Sequence, residues 1–202
     1  MFSLHRPSES LIRSQLDSAR DLPLTYGMPF VTEHGPTEAR LPRGYVRDHT
    51  RSEIGHGEAA FEAAKSALQS WQHFDLGWVR VANPEARLDP DQLVAVEAHT
   101  PGFSRLGLWS VNISRILYLI DEPTRFGFAY GTTPLHVESG EERFLVEFYP
   151  VSGTVSYELL AISRPVHWLA RLGYPYTRSQ QHRFARDSHA KMKRIAAIAK
   201  EA

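Results

Sequence analysis

Apolar positions in this chain follow two different periods, and the change between them predicts most of the fold. From Glu58 to Trp71 they recur at spacings of three and four (Phe61, Ala64, Leu68 and Trp71, with Lys65 alongside), which predicts an amphipathic helix. Beyond Trp71 the period falls to two. Gly77–Ala82, Gln92–His99, Ser114–Asp121, Arg125–Thr132, Glu142–Tyr149 and Thr154–Ile162 all alternate like strands, each parted from the next by Pro, Gly, Asp or Asn. The last three form a meander, joined by a loop at Thr133–Glu141 and a turn at Pro150–Gly153. Phe144, Val146 and Phe148 share one face of their strand, as do Val155, Tyr157, Leu159 and Ala161 of the next.

The flanks are less regular. Ser8–Arg20 places Leu11, Ile12 and Leu16 on one side of a short helix that Ser8 or Ser10 would cap. Residues 21–43 hold four prolines and two glycines and read as an irregular arm. Tyr45–Ile54 is a polar first strand, broken by Gly55-His56-Gly57. Pro165 suits the first turn of a short helix presenting Trp168, Leu169 and Leu172. Pro175 then opens a long final helix to about Lys200, with Tyr176, Gln180, Phe184, Ser188, Met192, Ile195 and Ala199 along its buried stripe.

This order predicts an α+β fold of helix-grip type: a curved antiparallel sheet wrapped around a long C-terminal helix, each element burying its one apolar side. Such an arrangement encloses a cavity between sheet and helix. A flatter α+β sandwich is the alternative. Residues 1–43 form an N-terminal helix and arm, and residues 44–202 a single domain.

Composition narrows the functional classes. With 202 residues, 42% hydrophobic and 23% charged, the chain can bury a real core. Its formal net charge is zero, so no global field draws it to nucleic acid or membrane. The balance is uneven, because Arg171 to Ala202 carries eight Lys/Arg against Asp187 and Glu201. That basic end can dock on the acidic remainder or on an outside partner. The absence of cysteine excludes disulfides, thiolate metal sites and cysteine nucleophiles, and suits a reducing compartment. The longest aliphatic and aromatic run, Ile116–Ile120, is too short to span a bilayer as a helix. Together with an N-terminus lacking a signal-length apolar run, this predicts a soluble, cytoplasmic protein.

Three stretches, GHGEAAFEAAKSALQSWQHFDLGWVRV, SRILYLIDEPTRFGFAYGTTPLHVESGEERFLVE and AISRPVHWLARLGYPYTRSQQHRFARDS, occur in that order. Their combination resembles the uncharacterised protein family UPF 0548, a domain of unknown function, over about residues 40–192. The resemblance singles out Gly55–Gly57, Trp71–Trp78, Gly127–Thr132, His136, Gly140–Phe144 and Ser163–Pro165, and it brings no established enzymatic activity. A looser likeness to START and polyketide-cyclase-type domains rests on element order and the basic final helix.

Candidate chemistry gathers around FGFAYGTTPLHVESGEERF, Phe126 to Phe144. Phe126, Phe128 and Tyr130 point to one face of a strand, with Gly127, Ala129 and Gly131 on the other. The small face accepts a packed element, a sharp bend or a flat ligand. His136, with Glu138, Glu141 and Glu142, offers acid–base groups, but its spacing matches no metal motif. If Phe144 faces the core, so does Glu142, and a buried carboxylate needs a partner among Arg115, Arg125, Arg164 and His136. Trp71, His73, Trp78, Trp109 and Tyr118 are either core anchors or pocket walls.

The leading expectation is a domain that binds a small apolar or amphipathic ligand. Trp109, Phe128, Tyr130 and Tyr157 would form the wall, and His136, Glu142 and Arg164 the polar end. No metal, cofactor or nucleic acid is expected. One alternative is an enzyme of hydrolase or isomerase type with His136 and Glu142 as base and acid. Another is an interaction protein that uses the basic helix.

Overall fold

In the computed structural model, residues 2–36, 41–100, 107–167 and 173–199 are described. Their strands are β1 (Phe2–Ser3), β2 (Val46–His56), β3 (Val79–Val81), β4 (Leu93–Thr100), β5 (Leu108–Glu122), β6 (Arg125–Thr132), β7 (Glu138–Tyr149) and β8 (Thr154–Pro165). The helices are α1 (Glu9–Ala19), α2 (Glu58–Gln69), a short 3-10 turn at Gln72–Phe74, and α3 (Tyr174–Ile198). The strands form one curled antiparallel sheet in the order β2-β8-β7-β6-β5-β4-β3, with β1 added to β5. Register shifts in β2 at Glu53/Gly55 and in β5 at Ile116/Tyr118 are bulges, which bend the strands that carry them.

The concave face holds the main core. Phe126, Phe128, Phe144, Val146, Val155, Tyr157 and Leu159 meet Phe61, Ala64 and Leu68 of α2, and Met192 and Ala196 of α3. In its midst His73 is enclosed by the rings of Trp71, Phe74, Phe128 and Phe144. Burial pushes its pKa down to about 3.

The convex face is covered as well. Ile12 and Ala19 of α1 pack on Ala95, Val111 and Ile113. Ser8 caps the start of α1 by accepting the Leu11 N–H at 3.3 Å. Arg115 closes its end, donating to the carbonyls of Ala19, Arg20 and Leu22. The arm that follows is tied down by one buried carboxylate. Glu141 accepts from the Tyr26 hydroxyl at 2.8 Å, the Phe30 N–H at 2.9 Å, and the N–H and hydroxyl of Thr32. Beside it, Arg143 and Glu158 are paired at 3% exposure each.

Several expectations change here. The small face of β6 receives the arm rather than a ligand: a side chain at Gly131 would collide with the Tyr26 hydroxyl. Strand β5 starts six residues earlier than its pattern predicts, because polar Ser110 and Asn112 face inward while Val111 and Ile113 pack under α1. Strand β7 starts at Glu138, so the charged loop is largely strand. Pro165 closes β8 opposite Glu138 instead of opening a helix. Trp168, Leu169 and Leu172 lie outside the described residues. The seam of α3 is Ser188, Met192 and Ala196, whereas Tyr176 is 39% exposed. Among the described residues no helix is long and apolar enough to cross a membrane.

Glu141→Ala strips four donors of their acceptor and is expected to cost about 3 kcal/mol of unfolding free energy. Urea unfolding measures the loss, and limited proteolysis is expected to cut within residues 21–36 first.

Candidate functional site

Helix α3 does not lie flat on the sheet. Its C-terminal half is seated: the Tyr157 and Ser188 hydroxyls meet at 3.0 Å, and His189 bonds Ser52 at 2.7 Å and Thr50 at 3.0 Å. An added Cβ at Gly55 would stand only 3.1 Å from the Ala196 Cβ, so the small residues permit this close approach. Toward its N-terminus the facing side chains become large, and the helix stands away from the sheet. A cavity of about 480 Å³ fills the gap.

Its apolar wall includes Val96, Ala98, Leu159, Phe74, Trp78 and Phe184. Trp78 is held by its Nε1–H, which donates to Asp187 at 3.1 Å, and by Arg183 4.3 Å above its ring. The polar side includes Tyr130, His136, Glu138 and Glu142. Two bonds tether the N-terminal half of α3 across the opening. Arg178 grips Asp48 of β2 through both oxygens, and Gln181 donates to Glu138 at 2.6 Å.

Glu142 follows from period two: it shares the inward face of β7 with Phe144. The Tyr130 hydroxyl donates to its Oε2 at 2.6 Å. Burial pushes its pKa up to about 7, the Tyr130 bond pulls the other way, and the charges of Glu138 and Asp48 add to the rise. Its remaining exposed surface is cavity wall. Burial likewise raises the pKa of Glu138. His136 is the opposite case, lowered to about 4 by burial. The Glu138 N–H donates to its Nδ1 at 2.9 Å, so the neutral ring carries its proton on Nε2.

The expected site residues divide. Tyr130, His136 and Glu142 lie on the cavity wall. Phe128 sits within the aromatic core, its ring 5.1 Å from those of Trp71 and Phe144. Tyr157 is covered by Ser188. Trp109 is on the convex side, stacked on His99 at 4.5 Å beneath Arg6. Arg164 is exposed over the ring of Tyr45 at 4.8 Å. The partner foreseen for Glu142 among the arginines and His136 is instead a tyrosine. Glu138 and Trp78, named as an acid–base group and a possible pocket wall, line the cavity, and Asp48 and Gln181 belong to the site without having been singled out. Asp48 was signalled by the polar residues facing inward on β2 (Asp48, Thr50, Ser52), a pattern a wet cavity edge demands. Among the described residues no group of three or more His, Asp or Glu is placed to hold a metal ion.

A curled sheet gripping a helix over a cavity defines a helix-grip fold. The chain belongs to the family described as Domain of unknown function (DUF1990), whose profile matches residues 31–191. It is similar to the UPF0548 protein of Dictyostelium discoideum, 34% identical over 93% of this chain and 92% of the relative. It is similar also to the UPF0548 protein of Deinococcus radiodurans, 34% identical over 92% and 94%. Among solved structures, human STARD10 matches with a TM-score of 0.50 at 12% identity, covering 96% of this chain and 81% of that one. The di-domain ARO/CYC StfQ from the steffimycin biosynthetic pathway matches with a TM-score of 0.52 at 10% identity, covering 78% and 52%. At such identities the likeness is one of fold.

A carboxyl with a raised folded-state pKa holds its proton longer in the native state. Stability from this group is therefore highest below the ordinary value of 4.5 and is lost as pH rises through about 7. Glu142→Gln removes that penalty. It is expected to gain about 1–3 kcal/mol over the parent near about pH 8, and almost nothing near about pH 5. Urea unfolding at both values checks the sign.

Proposed function

We propose that the protein binds a small amphipathic molecule in the cavity between the sheet and the N-terminal half of α3. The observation that carries this reading is a space of about 480 Å³ with an apolar wall at one side and ionisable groups at the other. Close-packed interiors leave few voids larger than a water molecule, and packing this helix flat would remove the space.

The two other readings have less support. His136 and Glu142 both reach the cavity, but each is bonded elsewhere, to the Glu138 backbone and to Tyr130, so no acid–base pair is formed between them. Two basic side chains of α3 reach the rest of the chain: Arg178 binds Asp48, and Lys191 binds Asp75 at 3.0 Å.

Nile red, a neutral apolar dye, is expected to bind the wild-type protein and gain fluorescence. Ala161→Phe fills the cavity from β8 and is expected to weaken that binding at least about tenfold with the fold intact by circular dichroism. Undiminished dye binding by a folded Ala161→Phe protein refutes the reading. Native mass spectrometry of the purified protein then looks for a retained small molecule.

A further inference from the structure

The polar side of the cavity carries two carboxylates without a charged partner among the described residues. Glu142 receives one hydrogen bond, from Tyr130, and Glu138 is held by the neutral side chains of Gln181 and Ser163. Neither carboxylate has a salt-bridge partner among the described residues. Arg178 bears on Glu138 but is committed to both oxygens of Asp48. Gln180, also on the wall, has a buried Oε1 that accepts nothing among the described residues. Gly140 stands between them on β7, where an added Cβ would meet the Ile162 carbonyl oxygen of β8 at 2.0 Å. Acceptors left this way in an apolar surround are costly unless a bound molecule supplies the missing N–H groups.

We infer that the ligand is a protonated amine with an apolar body, its ammonium head on the free oxygen of Glu142 and its body against Val96, Ala98, Leu159 and Phe184. This rests on the binding reading above and adds the ligand's chemical class. An ammonium brings several donors and the positive charge that the buried carboxylate lacks. A fatty acid or phosphate brings more acceptors and negative charge to a wall that already has both in excess.

The groups facing Glu142 bear on how binding varies with pH. They are Tyr130 from β6, Glu138 from β7, Tyr157 from β8, Asp48 from β2, His136 from the β6–β7 loop, and Arg178 and His182 from α3. His136 stays neutral at neutral pH, and Asp48 is neutralised by Arg178. Burial raises the pKa of Glu142 to about 7 and that of its neighbour Glu138 as well. Amine binding is expected to strengthen as pH rises through about 7 and to fade below it.

The test titrates n-octylamine, n-octanol and octanoate into the wild-type protein and Glu142→Gln, by displacement of Nile red at about pH 8 and about pH 5.5. At the higher pH, n-octylamine is expected to bind wild type at least about tenfold more tightly than n-octanol, with octanoate weakest. That preference is expected to disappear in Glu142→Gln, with n-octanol unaffected, and to shrink at the lower pH in wild type alone. Should Glu142→Gln not fold, the wild-type pH profile decides the matter by itself. Octanol or octanoate binding wild type as tightly as octylamine would overturn the amine assignment and leave the cavity reading standing. Failure of Nile red and all three compounds to bind would overturn both.

Discussion

Everything on the concave side depends on how closely α3 can approach β2 at one end. Gly55 has no side chain, and the methyl groups of Ala60 and Ala196 each stand 3.1 Å from where its Cβ would be. Ser188, Met192 and Ala196 continue that seat along the helix, with the Tyr157–Ser188 bond beneath them. A rod of 25 residues seated at one end, and held at the other with Phe184 against Phe74 at 4.9 Å, leaves a gap over the sheet. The cavity is therefore a consequence of side-chain size along a single contact. It needs no special loop.

Two adjacent carboxylates show how the sheet divides structure from chemistry. Glu141 and Glu142 follow one another on β7 and, by the strand's alternation, point to opposite faces. On the convex side Glu141 is satisfied by four donors from the arm, and the result is mechanical: the arm is fastened to the sheet. On the concave side Glu142 has a single donor among the described residues, and burial lifts its pKa to about 7 against the pull of that bond. A group poised in this way is less stable than it would be in water, and that cost is tolerable where a ligand can relieve it. Arg143 and Glu158 pair on the same convex side at 3% exposure each.

Much of this was legible in the residues. Period two marked six of the strands and set Glu142 beside Phe144, and the helical period marked α2. The family resemblance and the element order led to the same architecture. What escaped detection has physical reasons. Trp109 reads as a wall residue because tryptophan is large and apolar, yet its position in β5 turns it outward to His99 and Arg6. Phe128 and Tyr157 lie on the correct face but under parts of the molecule that close down on them, and sequence periodicity carries no information about depth. Asp48 met Arg178, and Glu138 met Gln181, only when distant segments were brought together. The arm's hold on Glu141 was hidden for the same reason, since Tyr26, Phe30 and Thr32 show no regular spacing.

The seat of α3 on β2 can be tested directly, because the chain contains no cysteine of its own. In Gly55→Cys/Ala196→Cys the two Cβ positions fall 3.1 Å apart, so a shift of α3 by some tenths of an ångström brings them to the roughly 3.8 Å of a disulfide. The pair is expected to oxidise spontaneously and raise unfolding free energy by about 4 kcal/mol without loss of dye binding. A folded protein whose two thiols stay reduced and fully reactive under air would show that the helix does not rest there, and the cavity built on that contact would go with it.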